Sequence, residues 1–574
     1  MILKALYDYY HRSGAEVAPF GLEYKEIGFI IVINKSGDFI RLEDRRIDKK
    51  SAQKFLVKKS VSRSSAPVAN YLYDNSQYVL GYSDNPDKRD IDKMRKYFDT
   101  FKSKVQDIYE HYPDNVSIQA VYAFYKQNQS DIIAKIQNDP LWNDIEKNLN
   151  KKYSIFSFLI EGDTEIVASK RDLLKFDDDD DDCNDGNLCL VVGKRSKTVK
   201  ITTATMIPGS QATARLVAFQ VNSGYDSYGK SQGDNAPISE EAEFAYTTAL
   251  NYMLCSDSHN KFMVGSRTFL FWASSNSEAS KASEDSLFAL FGNVGKEDDD
   301  PNRRIEFVRR TFLSIYSGKL VSDKDDKFFI LGLAPNSARI AVVYWNETPL
   351  REFAGLISKH FEDMEIVDPR KDKKPYVGLH SILGSVTLGG KSSDAAPNLP
   401  DAVVKSIFQG LPYPVTLFQA CIRRIRAEQS LNIVRVAIIK AYLNRLNDIS
   451  NKKIDIMLDK ENKNLGYLCG RLFAVLENLQ YAANKQDTIR ANYMNAASST
   501  PSAVFPTILK LSNSHYGKLA KEKKGLANFY DSQKKDIIAL IQDFPDTLSL
   551  GDQGRFFIGY YHQKNYREDK ELEN

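Results

Sequence analysis

Residues 214–254 read ARLVAFQVNSGYDSYGKSQGDNAPISEEAEFAYTTALNYML, and the stretch passes through three patterns in turn. Val217, Phe219 and Val221 alternate as the residues of a half-buried strand do. Gly224, Gly229 and Gly233 then free the backbone to approach a ligand closely. Pro237 and Ser239, followed by Glu240, Glu241 and Glu243, are start signals for an amphipathic helix: a hydroxyl to cap free amides, and carboxylates at the positive end of the dipole. Between strand and helix, Tyr225 and Tyr228 offer rings for stacking on a base or sugar. Asn222, Ser223, Ser227, Gln232 and Asn235 offer neutral donors and acceptors, and Lys230 adds one positive charge. The segment is a candidate nucleic-acid contact loop; the plainer reading is a polar connection between a strand and a helix.

Outward from this segment, sheet and helix patterns mix on its N-terminal side. Ile2, Leu3, Leu6 and Tyr10 are spaced for a short helix over 2–12. Residues 28–34 and 39–42 read as strands of a hairpin turned by Lys35-Ser-Gly-Asp38. Helices are expected over 90–111 and 117–149, joined near Pro113, and β structure over 153–221 through IFSFLI, LCLVVG, VKITTATM and RLVAFQV. The run DDDDDDCNDG interrupts that β region. Adjacent Asp side chains alternate in direction and lack the spacing of a calcium loop, so a solvated, self-repelling loop is expected there.

On the C-terminal side, FLFWASS and FFILGLAPNSARIAVVYWNETPL predict more sheet, and 350–365 a helix. Residues 370–400, rich in Gly, Ser, Pro and Lys, predict a loop or interdomain connection. From about Leu411, LNIVRVAIIKAYLNRL, LGYLCGRLFAVLENLQYAAN and DIIALIQDF predict a helical bundle. The expected fold class is α+β: a mixed region of β-sheets and helices over 1–410, then an α-helical bundle over 411–574. A chain of 574 residues exceeds the usual size of one hydrophobic core, which also favours two or more domains.

The net charge of +3 hides an uneven distribution. Residues 35–63 hold ten Lys/Arg against four Asp/Glu, and residues 415–525 hold eighteen against eight. Two separate basic regions favour a polyanion partner. Cys183, Cys189, Cys255, Cys421 and Cys469 form no CxxC pair, so neither a disulfide framework nor a structural zinc site is expected. Tyr7, Asp8, Tyr9, Tyr10 and His11 interrupt any apolar leader, and no apolar run approaches membrane-spanning length. A cytoplasmic protein without membrane contact is expected.

Catalytic motifs fail on spacing. Gly384-Ser-Val-Thr-Leu-Gly389-Gly390-Lys391-Ser392 places five residues where a Walker A loop needs four, and Gly224-Tyr-Asp-Ser227-Tyr-Gly229 has one residue too many for a nucleophile elbow. The seven His form no HExxH. No cofactor, metal or catalytic residue is expected; the alternative is a nucleic-acid-processing enzyme whose dispersed carboxylates converge on a divergent metal site.

Several long blocks together resemble a known family. They are MILKALYDYYHR, GFIIVINKSGDFI, VKKSVSRSSAPVANYLYDNSQYVLGY, SYGKSQGDNAPISEEAEFAYTTALNYML, GRLFAVLENLQYAAN, AASSTPSAVFPTILKLSNSHYGKL and LSLGDQGRFFIGYYHQ. They are similar to the large subunit of the type I-C CRISPR surveillance complex, Cascade. The resemblance implies a non-catalytic subunit in antiviral defence that binds double-stranded DNA, recognises the protospacer-adjacent motif (PAM) and promotes duplex opening and R-loop formation. Guide RNA reads the remaining sequence. Implied partners are the CRISPR guide RNA complex, the backbone, crRNA-processing and small subunits, the target duplex with its displaced single strand, and a separate helicase-nuclease that cuts. The resemblance further implies that 1–410 contacts the PAM duplex and that 411–574 is small-subunit-like; Met457 is a possible internal start for a separate small subunit.

Two blocks are candidates for duplex contact. In the first, Lys58, Lys59 and Arg63 would neutralise phosphates, while Ser64, Ser65, Asn70, Tyr71 and Asn75 would reach base edges or stack, the alternative being Asn residues that cap turns. The second is the opening loop with Asn222, Tyr225, Tyr228, Lys230, Gln232 and Asn235. Replacing Asn70 or Asn235 by Ala is expected to weaken motif discrimination, and Lys58→Ala to weaken binding generally. Along the C-terminal bundle, Arg423, Arg424, Arg426, Arg435, Lys440 and Arg445, and then Lys518, Lys521, Lys523 and Lys524, form basic regions that the resemblance implies line the path of the displaced strand, the alternative being a basic face that is only solvated or packs on an acidic neighbour.

Overall fold

The computed structural model describes residues 2–14, 17–61, 63, 66–83, 88–174, 186–221, 224, 226, 228–255, 257–291, 301–370, 376–446 and 452–566, without the side chains of 88–90 and 301–303. Contacts divide the chain into two compact units. One comprises residues 6–203 and 217–250; the other comprises 251–574 with 1–5 and 204–216.

In the first unit, α1 (Ile2–Ser13) is followed by β1 (Leu22–Glu26), β2 (Phe29–Ile33), β3 (Phe39–Asp44), β4 (Lys54–Lys58) and β5 (Tyr73–Asn75). Then come α2 (Ser76–Val79), α3 (Lys88–His111), α4 (Val116–Lys126), α5 (Gln129–Gln137), α6 (Trp142–Glu146) and β6 (Ile155–Ile160). A short pair, β7 (Asn187–Leu188) and β8 (Arg195–Ser196), precedes α7 (Glu240–Leu254). The main sheet runs β3-β2-β6-β5, with β2 parallel to β6 and the outer pairs antiparallel; β1 and β4 form a separate antiparallel ladder. Strand β2 is buried at all five positions, which is why FIIVI is a continuous apolar run with no alternation. The β2–β3 turn presses on α4: a Cβ on Gly37, whose φ is +86°, would meet Phe124 N at 2.6 Å. Phe29, Phe101, Phe124, Tyr125, Phe156 and Phe158 fill the core beneath.

The second unit opens with an antiparallel meander in the order β12-β11-β10-β9. Its strands are β9 (Lys261–Val264), β10 (Arg267–Ala273), β11 (Lys327–Asn336) and β12 (Arg339–Pro349). The helices are α8 (Glu278–Phe291), α9 (Pro301–Ser317), α10 (Leu350–Met364), α11 (Leu379–Ser385), α12 (Leu399–Phe408), α13 (Val415–Glu428) and α14 (Ile433–Arg445). They continue as α15 (Leu465–Asn484), α16 (Thr488–Ala497), α17 (Pro501–Glu522), α18 (Lys524–Ile538) and α19 (Leu550–Lys564). One core runs from Phe328 of the sheet through Phe353, Phe408 and Phe418 to Ile439, Phe473 and Phe556 of the helices. The fold is α+β, with sheets and helices first and helices alone after them. The join expected at 410/411 lies inside this second unit, because the helices on either side of it share that core.

Three local expectations are corrected. Residues 117–149 form three helices, since Asn128 caps α5 and the chain turns again before α6. Between 153 and 221, among the described residues, only β6 and the two-residue strands β7 and β8 are extended ladders. Residues 217–221 form no strand among the described residues; the Val217 carbonyl accepts from the Thr202 hydroxyl at 2.6 Å. The 370–400 region contains α11, whose Leu379, Ile382 and Leu383 are core residues.

Candidate nucleic-acid interface

Strand β4 delivers the first candidates. The Lys58 ammonium lies 4.3 Å from the centre of the Tyr71 ring, and the Lys58 carbonyl accepts from the Tyr73 hydroxyl at 2.8 Å. Tyr73 also donates to Glu23 at 3.1 Å, a carboxylate that the Ser60 amide and hydroxyl bind too. Lys59 turns inward, donating to Thr203 Oγ1 at 2.9 Å and lying 3.6 Å from Glu243. Arg63 pairs with Asp74, donates to the Val68 carbonyl at 2.8 Å and stacks 4.0 Å from the Tyr78 ring centre. Asp74 is buried, and that burial holds its carboxyl above the ordinary value against the pull of Arg63.

The neutral members of this block are also engaged within the chain. Asn70 is buried; its Oδ1 accepts from the Val61 backbone amide at 2.9 Å, and its own backbone N–H donates to Asp74 at 3.0 Å. Asn75 caps α2, accepting from the amides of Gln77 and Tyr78 at 3.1 and 3.3 Å. Burial therefore replaces the expected base contact of Asn70 with bonds to Val61 and Asp74, and Asn75 takes the capping alternative. Between them Leu72 sits in the left-handed region at φ 63°, held by a bond from Ser157 Oγ to its carbonyl at 2.9 Å. Tyr71 is half-buried, and burial pushes its hydroxyl pKa up. Ser64 and Ser65 lie outside the described residues.

In the second block, Asn222, Ser223, Tyr225 and Ser227 lie outside the described residues. Tyr228 is 99% exposed and holds a φ of 54°, beside Gly229 at φ 73°. Lys230 is exposed too. A 3-10 turn over Gln232–Asn235 closes the loop, with the Gln232 amide on Asp226 at 3.2 Å and the Asn235 side chain on the Gln232 carbonyl at 2.9 Å. Gly233 touches the chain after β8 so closely that a Cβ would lie 2.0 Å from the Val199 carbonyl oxygen. Three backbone bonds join the two segments: Gly233 to Lys200 at 3.2 Å, Leu190 to Pro237 at 2.9 Å and Val199 to Ile238 at 3.0 Å. The loop base and the β7–β8 hairpin are thus one hydrogen-bonded module. Helix α7 then starts as its sequence predicts, with Ser239 Oγ accepting from the Ala242 amide at 3.2 Å.

The C-terminal cations divide by burial. Arg435 is buried, donating to the Ser385 carbonyl at 2.7 Å and to Glu428 at 3.1 Å. Lys440 is buried at the end of α10, donating to the Glu362 and Asp363 carbonyls at 3.3 and 3.1 Å, and desolvation lowers its pKa. Arg445 is likewise buried and bonds Asp363 at 2.6 Å. These three tie helices together and present no charge to solvent, which corrects their placement on a displaced-strand surface. Arg424 pairs with Glu428, and Arg426 donates to Gln553 at 3.1 Å. Arg423, Lys518, Lys521, Lys523 and Lys524 are exposed, Lys518 donating to Asn484 at 2.9 Å.

Compared with models of protein families, residues 6–567 match that of the CRISPR-associated protein (Cas_Csd1). The chain belongs to the Cas_Csd1 family. A comparison with curated proteins finds no match. Membership of the family makes this chain a Cascade subunit that works with other Cas subunits and crRNA.

The β7–β8 hairpin of this Cas_Csd1 chain adds residues that sequence reasoning passed over. Lys194, Lys197 and Lys200 are exposed, and among the described residues neither they nor Lys230 pair with a carboxylate. Arg195 is exposed as well and donates to the Gly186 carbonyl at 3.1 Å. The signal is the run GKRSKTVK over 193–200, four cations in eight residues, flanked by the β-like LCLVVG and VKITTATM. Among the described residues, no group of three His, Cys, Asp or Glu is placed to hold a metal ion, and no helix is long and apolar enough to cross a membrane.

Proposed function

We propose that this chain is the large subunit of a type I-C Cascade, which recognises the PAM on duplex DNA, promotes opening of the duplex into an R-loop and helps recruit a separate helicase-nuclease. The carrying observation is the loop and hairpin module: Lys194, Lys197, Lys200 and Lys230 are exposed and, among the described residues, paired with no carboxylate, and the same module carries the fully exposed Tyr228 beside Gly229. Lysines in that state neutralise phosphates and set the register of the duplex without reading it. An aromatic side chain at a loop tip enters a base step or stacks on a base as the strands part. Gln232 and Asn235, at the loop base, supply neutral polar groups for base edges. The helices after 410 form the small-subunit-like part, whose exposed Arg423, Lys518 and Lys521 hold the displaced strand. The subunit itself is non-catalytic in this reading.

The test uses the assembled complex with PAM-bearing and PAM-lacking duplexes. Lys194→Ala/Lys197→Ala/Lys200→Ala is expected to weaken both interactions and to reduce the log–log salt slope by about two to three. Tyr228→Ala is expected to leave closed-duplex binding unchanged while reducing permanganate-reactive thymines in the opened strand. Wild-type affinity and salt slope in the triple variant would sink the assignment. Cleavage of plasmid by the purified subunit with Mg²⁺ or Mn²⁺ would overturn the non-catalytic reading.

A further inference from the structure

In the first unit, separate segments converge on one buried carboxylate, that of Glu243 in the first turn of α7. Its side chain is 5% exposed. Glu243 Oε1 accepts from the backbone N–H of Thr203, in the chain after β8, and Oε2 lies 3.6 Å from the ammonium of Lys59. Lys59 follows β4 directly, and its ammonium also donates to Thr203 Oγ1 at 2.9 Å and lies 4.9 Å from the Phe244 ring centre. One lysine thus grips both the carboxylate and the residue that the carboxylate holds.

Each end of this strut is tied down. The Lys59 backbone N–H donates to the Gly21 carbonyl at 2.8 Å, which extends the β1–β4 ladder by one rung. On the far side, the Val199 amide donates to the Ile238 carbonyl at 3.0 Å and the Gly233 amide to the Lys200 carbonyl at 3.2 Å, so the segment ending at Thr203 belongs to the loop and hairpin module. Breaking the pair would leave the Glu243 charge uncompensated in the interior, which makes the connection stiff. A phosphate-binding lysine has the opposite requirement, since its ammonium must stay free to displace counterions.

We propose, on the reading of this chain as a duplex-opening subunit, that Lys59 is a positioning residue for opening. Through Glu243 and Thr203 it fixes the loop and hairpin module to β4, so that the lysines that grip the duplex and the tyrosine that parts it act from one rigid base. Because the Lys59 side chain is 31% exposed, salt dependence must separate this role from a direct phosphate contact.

The assembled complex carrying Lys59→Met, which keeps the aliphatic stem and removes the ammonium, is compared with the wild type on a PAM-bearing duplex. Permanganate-reactive thymines are expected to fall about ten-fold, while closed-duplex affinity and the log–log salt slope stay unchanged. Lys59→Arg restores opening. Glu243→Gln lowers opening as Lys59→Met does, and the double variant lowers it no further, since both substitutions remove one interaction. In the full-length chain without DNA, Lys59→Met speeds hydrogen exchange over residues 197–203 and leaves that of β2 as in the wild type. A salt slope smaller by about 0.9, the mark of one lost phosphate contact, would make Lys59 a DNA ligand and overturn the proposal. Wild-type opening in Lys59→Met, wild-type exchange over 197–203, or faster exchange throughout the unit would overturn it too. Faster exchange confined to 197–203 beside a wild-type complex that opens no duplex would instead overturn the duplex-opening reading while the strut itself stands.

Discussion

Asn70 turns its side-chain amide inward, where its Oδ1 accepts from the Val61 N–H. Removing that acceptor is expected to act on the shape of the segment first and on DNA only through it. Asn70→Ala should lower the unfolding free energy by about 1 kcal/mol and speed hydrogen exchange across residues 61–74; unchanged exchange there would show that the amide holds nothing. Lys440 and Arg435 teach the same point with charges. Their residue types suggested a surface for polyanions, yet both satisfy helix carbonyls or a carboxylate in the interior. A side chain's chemistry was legible in the sequence; its direction was not, because direction is set by which helix face packs.

At the scale of elements, the α15–α19 pair shows why small residues recur in GRLFAVLENLQYAAN and GDQGRFFIGYYHQ. A Cβ on Gly470 would lie 1.9 Å from the Phe556 carbonyl oxygen, and one on Gly559 would lie 2.2 Å from that of Tyr467. These glycines allow the two backbones to touch. Gly470→Ala is expected to push the helices apart and cost about 1–3 kcal/mol in urea unfolding. Gly517→Ala, with open space around it on α17, should be neutral or slightly stabilising because alanine favours the helix. Equal effects of the two substitutions would refute the close-contact account. The capped start of α7 and the strand β2 are readable in the sequence, since their signals are local. The alternation at 217–221 predicts a strand that the described residues do not form, because a strand exists only where a neighbour offers its ladder, and no local pattern reports that neighbour.

For the molecule as a whole, two buried histidines tie stability to pH. His360 bonds the Tyr413 hydroxyl at 2.7 Å and the Val377 carbonyl at 2.9 Å; His562 bonds the Tyr467 hydroxyl at 3.0 Å. Desolvation lowers each from 6.5 to about 4. Between those values the unfolded chain takes up protons that the folded chain refuses, so folding stability falls as pH drops from about 6.5 and levels off below about 4. Each pKa unit corresponds to about 1.4 kcal/mol. Denaturant midpoints at pH 7 and 5 should therefore differ for the wild type, and His562→Gln should narrow the difference; an unaltered gap would rule out His562 as a contributor.

The sequence by itself determined the α+β class, the order of its main segments and the family. Those follow from periodicity, capping and blocks of residues, all of which are properties of neighbours along the chain. Only the tertiary structure decided which cations meet solvent: Arg435 and Lys440 are buried, whereas Lys194, Lys197, Lys200 and Lys230 are exposed. It also joined the β7–β8 hairpin to the loop before α7. The reason is physical: burial and juxtaposition arise from packing between distant segments, where a carbonyl at Val199 and a missing side chain at Gly233 meet across the fold.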